Sequence, residues 1–159
     1  MSNEIQLKTT INGIEYNLLV PSRLLASDFL RDNLNLTGTH VGCEHGICGS
    51  CTIKIDGLTA RSCLKFAVQL DGKKVETVES FKEKPETRNI LEKFKAHHSL
   101  QCGFCTPGFL MIIDELLKSK IKFSENEIRE ALSGNLCRCT GYENIIKAAK
   151  EILAHKVIK

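Results

Sequence analysis

The chain has 159 residues, of which 42% are hydrophobic and 26% charged, and its formal net charge is +3. This balance excludes a disordered protein, and the small charge excess with only 6% aromatic residues argues against nucleic-acid binding. No run of about 18 apolar residues occurs, which excludes a membrane-spanning helix. The first residues, MSNEIQLKTT, lack the layout of a secretory signal, so we expect a cytoplasmic protein.

The first half of the chain has the pattern of strands joined by tight turns. The predicted strands are 5–11, 14–20, 51–56 and 74–78. Asn12-Gly13 separates the first two, which is a strong hairpin signal. A helix is predicted over 24–33, with Ser22 as a candidate N-cap, and a shorter one over 63–68. Strands that flank a helix within about 80 residues predict a small α+β domain of the β-grasp type.

The second half changes to a helical period. The predicted helices are 87–98, 109–118, 125–132 and 143–153. Ser124 and Glu127 form a capping box at the start of the third helix, and Gly134 follows its end. The apolar faces of the first two helices have two interpretations: they dock against a partner, or they form the core of the bundle. We therefore predict an α+β chain with a β-grasp domain over 1–80, a linker over 81–86 and a four-helix bundle over 87–159.

Eight cysteines fall into two sets of four. Cys43, Cys48, Cys51 and Cys63 have the spacing C-x4-C-x2-C-x11-C, which is that of plant-type [2Fe–2S] ferredoxins. Glycines within this loop allow positive φ and bring N–H groups close to the sulfur atoms. His45 lies in the loop, but four cysteines already complete the site, so we interpret it as a surface residue.

The second set is less specific by itself. Cys102 and Cys105 form a C-x2-C pair, and Cys137 and Cys139 form a C-x-C pair. Taken alone, this set suits zinc as well as iron. The tight C-x-C pair, and a first set already suited to iron, favour a second iron–sulfur cluster.

Four motifs together resemble one family over nearly the whole chain. They are GCEHGICGSCTI (42–53), RSCL (61–64), QCGFCTPG (101–108) and LSGNLCRCTGY (132–142). In this order they resemble the iron–sulfur small subunit of the molybdenum hydroxylases, the group of xanthine dehydrogenase, aldehyde oxidoreductase and aerobic carbon monoxide dehydrogenase. The resemblance implies a ferredoxin-like β-grasp domain and a helical domain, each with one [2Fe–2S] cluster.

The resemblance also implies particular roles for residues. The ligands of the outer cluster would be Cys43, Cys48, Cys51 and Cys63, and those of the inner cluster Cys102, Cys105, Cys137 and Cys139. Gln101 is similar to the glutamine that hydrogen-bonds the pterin, although an ordinary exposed amide is an alternative. Cys139 would approach the pterin as well as bind iron. Arg138 would pair with cofactor charge or remain a surface arginine.

The function implied by the resemblance is electron transfer within a molybdenum-containing oxidoreductase, with no substrate site on this chain. Electrons would pass from a molybdopterin, expected as the cytosine dinucleotide, on a large subunit through both clusters to FAD on a medium subunit. The expected assembly is αβγ or (αβγ)2. A free-standing ferredoxin-type carrier and a zinc-stabilised interaction module are the two alternatives.

Overall fold

The computed structural model describes residues 3–119 and 121–154, which form a sheet half and a helical half. The strands are β1 (Glu4–Ile11), β2 (Ile14–Pro21), β3 (Thr52–Ile55), β4 (Leu58–Arg61) and β5 (Lys74–Glu76). The helices are α1 (Ala26–Asp28), α2 (Pro85–Ala96), α3 (Thr106–Lys118), α4 (Glu125–Ser133) and α5 (Glu143–Ala154). The predicted α+β fold class is confirmed. No helix within these ranges is long and apolar enough to cross a membrane.

The five strands form one mixed sheet in the order β2-β1-β5-β3-β4. β1 is antiparallel to β2 and parallel to β5, and β3 is antiparallel to both of its neighbours. α1 continues as a π-helical turn over Phe29–Asn33, and Phe29 and Leu30 pack on the inner face of the sheet. The predicted N-cap, Ser22, is wrong: the cap position is Leu25, and the Ser22 N–H donates to the Asn3 carbonyl instead.

One strand was not predicted. β4 pairs with β3 through a turn at Asp56-Gly57, where both residues have positive φ. It forms the edge of the sheet next to the helical half, and the Thr59 N–H donates to the Glu115 carboxylate at 2.9 Å. A helix side chain therefore satisfies a backbone group that the edge strand would otherwise leave unpaired.

The helical half has its own core, and α4 and α5 begin at the predicted residues, whereas α2 and α3 begin at Pro85 and Thr106, two and three residues earlier than predicted. Ser124 accepts a hydrogen bond from the Glu127 N–H, while the Glu127 carboxylate accepts from the Ser124 N–H, so the capping box is confirmed. The fully buried members of this core include Phe81, Ile90, Phe109, Met111 and Ile113. The predicted linker 81–86 thus contains a core residue and the start of α2, and the division of the chain at these bounds stays a prediction.

α3 is the central element of the molecule, because it packs on β3 and β4 as well as on the other helices. All of its residues from Pro107 to Asp114 are buried, so this helix has no spare apolar face for a partner. Asp114 pairs with Lys54 of β3, and both side chains are fully buried. Glu76 of β5 lies 3.2 Å from the Lys54 amine and Lys118 lies 2.9 Å from the Asp114 carboxylate, so a network of charges with a buried pair at its centre joins the two halves.

Candidate metal centres

The first quartet, Cys43, Cys48, Cys51 and Cys63, is assembled by the loop before β3 and the turn after β4. Cys51 precedes β3 and Cys63 lies in a 3-10 turn that follows β4, so the β3–β4 hairpin brings these two together. The Ser62 N–H donates to the Cys51 carbonyl at 3.2 Å, which fixes the two ends of the hairpin. Cys51 and Cys63 are buried, whereas Cys43 and Cys48 are half-buried, and none of the four forms a disulfide.

Backbone N–H groups surround the outer side of this quartet. Gly46 and Gly49 have φ of +84° and +77°, a conformation that residues with a β-carbon rarely adopt. The resulting loop lets the Cys48 N–H donate to the Cys43 sulfur at 3.3 Å. This hydrogen bond, followed by one from the His45 backbone, lowers the pKa of Cys43 to about 6. The thiolate form that a metal requires is therefore favoured at Cys43.

Burial acts in the opposite direction at the inner side of the first quartet. It raises the pKa of Cys63 to about 11, and the neighbouring Cys51 thiol adds to the effect. Two thiolates placed side by side in a buried position repel each other and lose their hydration. A metal that binds both sulfur atoms removes this cost, because it supplies the compensating positive charge.

The second quartet, Cys102, Cys105, Cys137 and Cys139, lies between the start of α3 and the loop after α4. Cys105 immediately precedes α3 and is buried, and Cys102 and Cys139 are exposed with their sulfur atoms 3.5 Å apart. Burial raises the pKa of Cys105 to about 12, with a further contribution from the Cys137 thiol. The quartet is thus arranged as an inner pair, the buried Cys105 with the half-buried Cys137, and a surface pair, Cys102 with Cys139.

Cys137 lies beside the hydroxyl and the backbone N–H of Thr140. Burial would raise its pKa, but the Thr140 hydroxyl and backbone N–H lower the pKa on balance. The Thr140 oxygen lies 3.0 Å from the Cys137 sulfur. At Cys139 the pKa is raised, first by its hydrogen bond with the Cys102 thiol.

The donor set fits two binuclear clusters. Each iron of a [2Fe–2S] cluster takes two thiolates, and each quartet presents its sulfur atoms two by two. In the ranges that the structure describes, no three His, Cys, Asp or Glu side chains converge closely enough to hold a single ion. A cavity of about 300 Å³ is lined by all four cysteines of the second quartet and reaches Cys48 of the first. A β-carbon at Gly42 would intrude there, 3.3 Å from the Cys48 sulfur.

The loops of the two quartets contact each other directly. The Leu136 N–H, one residue before Cys137, donates to the Cys48 carbonyl at 2.9 Å. The His40 ring stacks on Phe104 with centroids 4.8 Å apart, and its Nδ1 lies 2.7 Å from the Phe104 carbonyl. Arg61 donates to the carbonyl of Gly134 at 2.7 Å. The two sites are therefore parts of one packed junction.

Asn135 is wedged into this junction. Its side chain is fully buried between Gly49 of the first loop and Gly108 of α3. A β-carbon at Gly49 would lie 2.0 Å from the amide oxygen, and one at Gly108 would lie 2.4 Å from the amide nitrogen. Neither polar atom of the amide has a hydrogen-bond partner in the described chain. The two glycines thus create the space in which Asn135 separates the cysteine loops.

The remaining predicted residues lie at the surface. Gln101 is exposed beside Cys102, and Arg138 is exposed between the two cysteines of the C-x-C pair. His45 is also exposed, with its Nδ1 against the Cys43 carbonyl. Sequence reasoning gave no role to Asn135, Thr140 or Tyr142, although all three belong to the quoted LSGNLCRCTGY motif. The available signal was that an amide, a hydroxyl and a phenol stand within three residues of the cysteines.

Comparison with known proteins agrees with this geometry. Residues 33–99 match a model described as a 2Fe-2S iron-sulfur cluster binding domain, and residues 77–150 match a [2Fe-2S] binding domain. Two such matches favour clusters over zinc in both halves.

Relatives of similar length cover nearly the whole chain. The chain is 52% identical over 155 residues to the caffeine dehydrogenase subunit gamma of Pseudomonas sp. strain CBB1, covering 96% of this chain and 92% of the relative. It is 47% identical to the nicotine 6-hydroxylase small subunit of Paenarthrobacter nicotinovorans, covering 92% and 88%. The crystal structure of quinoline 2-oxidoreductase from Pseudomonas putida 86 matches with a TM-score of 0.90 and 46% identity over 96% of this chain and 95% of that one. These relatives are oxidoreductase components, and the chain itself belongs to the iron–sulfur subunits of the molybdenum hydroxylase family.

Proposed function

We propose that this chain is the electron-transfer subunit of a molybdenum-pterin hydroxylase, and that it relays electrons from the molybdenum site to FAD on partner subunits. The observation that supports this most strongly is the junction of the two quartets. One quartet ends at the surface in Cys102 and Cys139, and its other end meets the loop of the first quartet through the Leu136–Cys48 hydrogen bond. This arrangement suits a relay with an entry at one end and an exit at the other.

The ligands we propose are the eight cysteines. The first cluster would be held by Cys43, Cys48, Cys51 and Cys63, and the second by Cys102, Cys105, Cys137 and Cys139. When bound, each cluster supplies a site that accepts and returns one electron. The chain's own residues exclude water from Cys51, Cys63 and Cys105, and the Cys48 N–H stabilises negative charge on Cys43.

The exposed end of the second quartet is where we place the pterin of the large subunit. Gln101 presents an exposed amide next to Cys102, so it can donate to and accept from a heterocycle held by another chain. Leu100, Phe104 and Leu136 are between 44% and 51% exposed around this end. An apolar rim around a polar centre is typical of a protein interface. Cys139 would bind iron and approach the pterin, expected as molybdopterin cytosine dinucleotide.

The first quartet would face the FAD subunit. Ile47, Leu64 and Phe66 are between 45% and 59% exposed near its loop, and Leu64 packs against Gly46. We propose that this apolar surface meets the medium subunit in a cytoplasmic αβγ or (αβγ)2 assembly. Substrate selection would belong to the large subunit, because the molybdenum site at which substrate reacts would lie there.

The test is the metal content of the purified complex. Iron and acid-labile sulfide are measured per copy of this chain, and electron paramagnetic resonance spectra are recorded after reduction with dithionite. We expect four irons, four sulfides and two distinct rhombic signals, since two binuclear clusters are bound. Two irons together with zinc at the other four cysteines would contradict the relay.

A further inference from the structure

A closed ring of hydrogen bonds follows the C-x-C pair of the second quartet. The Cys137 N–H donates to the Tyr142 hydroxyl oxygen at 2.9 Å. The Tyr142 N–H donates to the Thr140 hydroxyl oxygen at 3.1 Å. The same Thr140 oxygen lies 3.0 Å from the Cys137 sulfur, which closes the ring. Three residues within six positions thus hold one another in place.

The direction of the last hydrogen bond follows from the other two. A backbone N–H can only donate, so the Thr140 oxygen already acts as an acceptor toward Tyr142. Its single proton is left for another partner, and the Cys137 sulfur is the atom within reach. As a metal ligand Cys137 would be a thiolate, which has no proton and can only accept. The Thr140 hydroxyl therefore donates to the Cys137 sulfur.

The backbone at this point adopts a conformation that is unfavourable for one of its residues. Gly141 and Tyr142 have φ of +63° and +68°. This conformation is natural for glycine but uncommon for a residue such as tyrosine, and it persists only where the surroundings fix it. Here the three hydrogen bonds fix it, so the hydroxyl of Thr140 is held on the sulfur rather than free to rotate into solvent.

We infer that Thr140 is a positioning residue that raises the reduction potential of the cluster held by the second quartet. The inference rests on the proposed function, because it requires Cys137 to be a cluster ligand. Reduction adds one electron and no atoms, and part of the added charge resides on the ligand sulfur atoms. A hydrogen-bond donor at such an atom stabilises the reduced state more than the oxidised state. Thr140 keeps its proton throughout and changes only the equilibrium.

The first quartet provides the internal reference. The hydrogen bond that reaches its Cys43 sulfur comes from the Cys48 backbone, which a side-chain substitution does not remove. Thr140 belongs to the loop of the second quartet alone and bonds to Cys137. A substitution at Thr140 should therefore move one potential and leave the other where it is.

The experiment is a redox titration of the purified complex, with both clusters followed by electron paramagnetic resonance. In Thr140→Val, which keeps the shape but removes the hydroxyl, we expect the ratio of reduced to oxidised second cluster at a fixed potential to fall about tenfold, equivalent to about 59 mV for one electron. Thr140→Ser should restore the wild-type ratio, and the first cluster should keep its potential in every variant. Thr140→Ala replaces Thr140→Val if the valine variant does not retain the cluster.

The possible results separate the inference from the function beneath it. An unchanged second potential in Thr140→Val, or an equal shift of both clusters, would overturn the role of Thr140 and leave the relay intact. Tyr142→Phe removes one bond of the ring but keeps the donor on Cys137, so it should shift the second potential less than Thr140→Val does. An equally large shift in Tyr142→Phe would mean that the loop acts only structurally. A wild-type complex without a second signal would overturn the proposed function together with the inference.

Discussion

The first quartet lies in a loop shaped by glycines, and a backbone N–H reaches the sulfur of Cys43. The second quartet lies between two helices, and the hydroxyl side chain of Thr140 reaches the sulfur of Cys137. The two sites thus present the same set of four thiols with different surroundings. Because side chains change by single substitutions and backbone groups do not, the properties of the second site are the easier ones to adjust separately.

The largest expected effect comes from removing one ligand from each quartet in turn. Cys48→Ser should abolish the signal of the first cluster and halve the iron content, while substrate still reduces the second cluster. Cys105→Ser should abolish the second signal and leave the first cluster beyond the reach of electrons from substrate. Iron analysis and electron paramagnetic resonance after anaerobic addition of substrate measure both variants. If substrate reduced the first cluster in Cys105→Ser, the proposed order of the two sites would be wrong.

Gln101 tests whether the surface end of the second quartet is a cofactor contact. Gln101→Ala should lower the molybdenum content of the purified complex several-fold, because a buried interface would lose a hydrogen-bonding amide worth about 1 to 3 kcal/mol. Gln6→Ala, at an exposed glutamine of β1, is the control. Unchanged molybdenum content and turnover in Gln101→Ala would remove Gln101 from the site.

The buried ion pair tests how firmly the two sites are held together. Lys54→Met leaves the fully buried Asp114 with Lys118 as its remaining cation, and we expect it to lower the free energy of unfolding by about 3 kcal/mol. Lys54→Met combined with Asp114→Leu should cost less than either single substitution, since no unpaired buried charge remains. Urea titrations of the three variants provide the measurement. A double variant as unstable as the sum of the singles would contradict this explanation.

A comparison of two glycines, one in each cysteine loop, separates the cost of steric overlap from the cost of backbone strain. Gly49 has φ of +77° and no room for a β-carbon beside Asn135, whereas Gly103 has φ of +80° and no atom within 4 Å of that position. Gly103→Ala should cost about 1 kcal/mol from strain alone. Gly49→Ala should cost about 3 kcal/mol because overpacking adds to the strain. Equal losses of unfolding free energy in the two variants would show that the atoms around Asn135 shift to accommodate the added β-carbon.

The smallest expected effect is a pH dependence of folding stability that arises within the helical half. The Glu151 carboxylate of α5 accepts hydrogen bonds from Lys93 and His97. These bonds, of which that from Lys93 has the larger effect, lower the pKa of Glu151 from 4.5 to about 2. A carboxyl whose pKa is lowered in the folded state stabilises the fold above pH 4.5. This stabilisation is lost as the pH falls through about 2. Glu151→Gln should therefore reduce stability near neutral pH and lose this difference from the wild type in acid. The effect should be small because all three side chains are partly exposed.

The sequence predicted the elements whose patterns are local. The hairpin at Asn12-Gly13, the capping box at Ser124 and four of the five strands follow from turn chemistry and side-chain period. β4 was missed because its residues are half-exposed and its edge is satisfied by Glu115, which lies 56 positions along the chain. No local pattern can contain such a partner.

The junction between the halves was the least predictable part. Lys54 stands in a buried strand and Asp114 in an apolar helix, so each is unusual in its own segment, but only the fold shows that the two charges meet. The division of the cysteines into two quartets was predicted from their spacing. Their environments were not, because burial, the wedge of Asn135 and the ring at Thr140 depend on contacts between distant segments.

The wedge at Asn135 limits how far the two halves can be exchanged as modules. Gly49 belongs to one half, while Gly108 and Asn135 belong to the other, and the two glycines leave the space that the Asn135 side chain occupies. A ferredoxin domain grafted in place of residues 1–80 would have to bring a glycine at this point of its loop, because a β-carbon there would overlap the Asn135 amide. The two halves must therefore match each other at three positions, none of which is a cysteine.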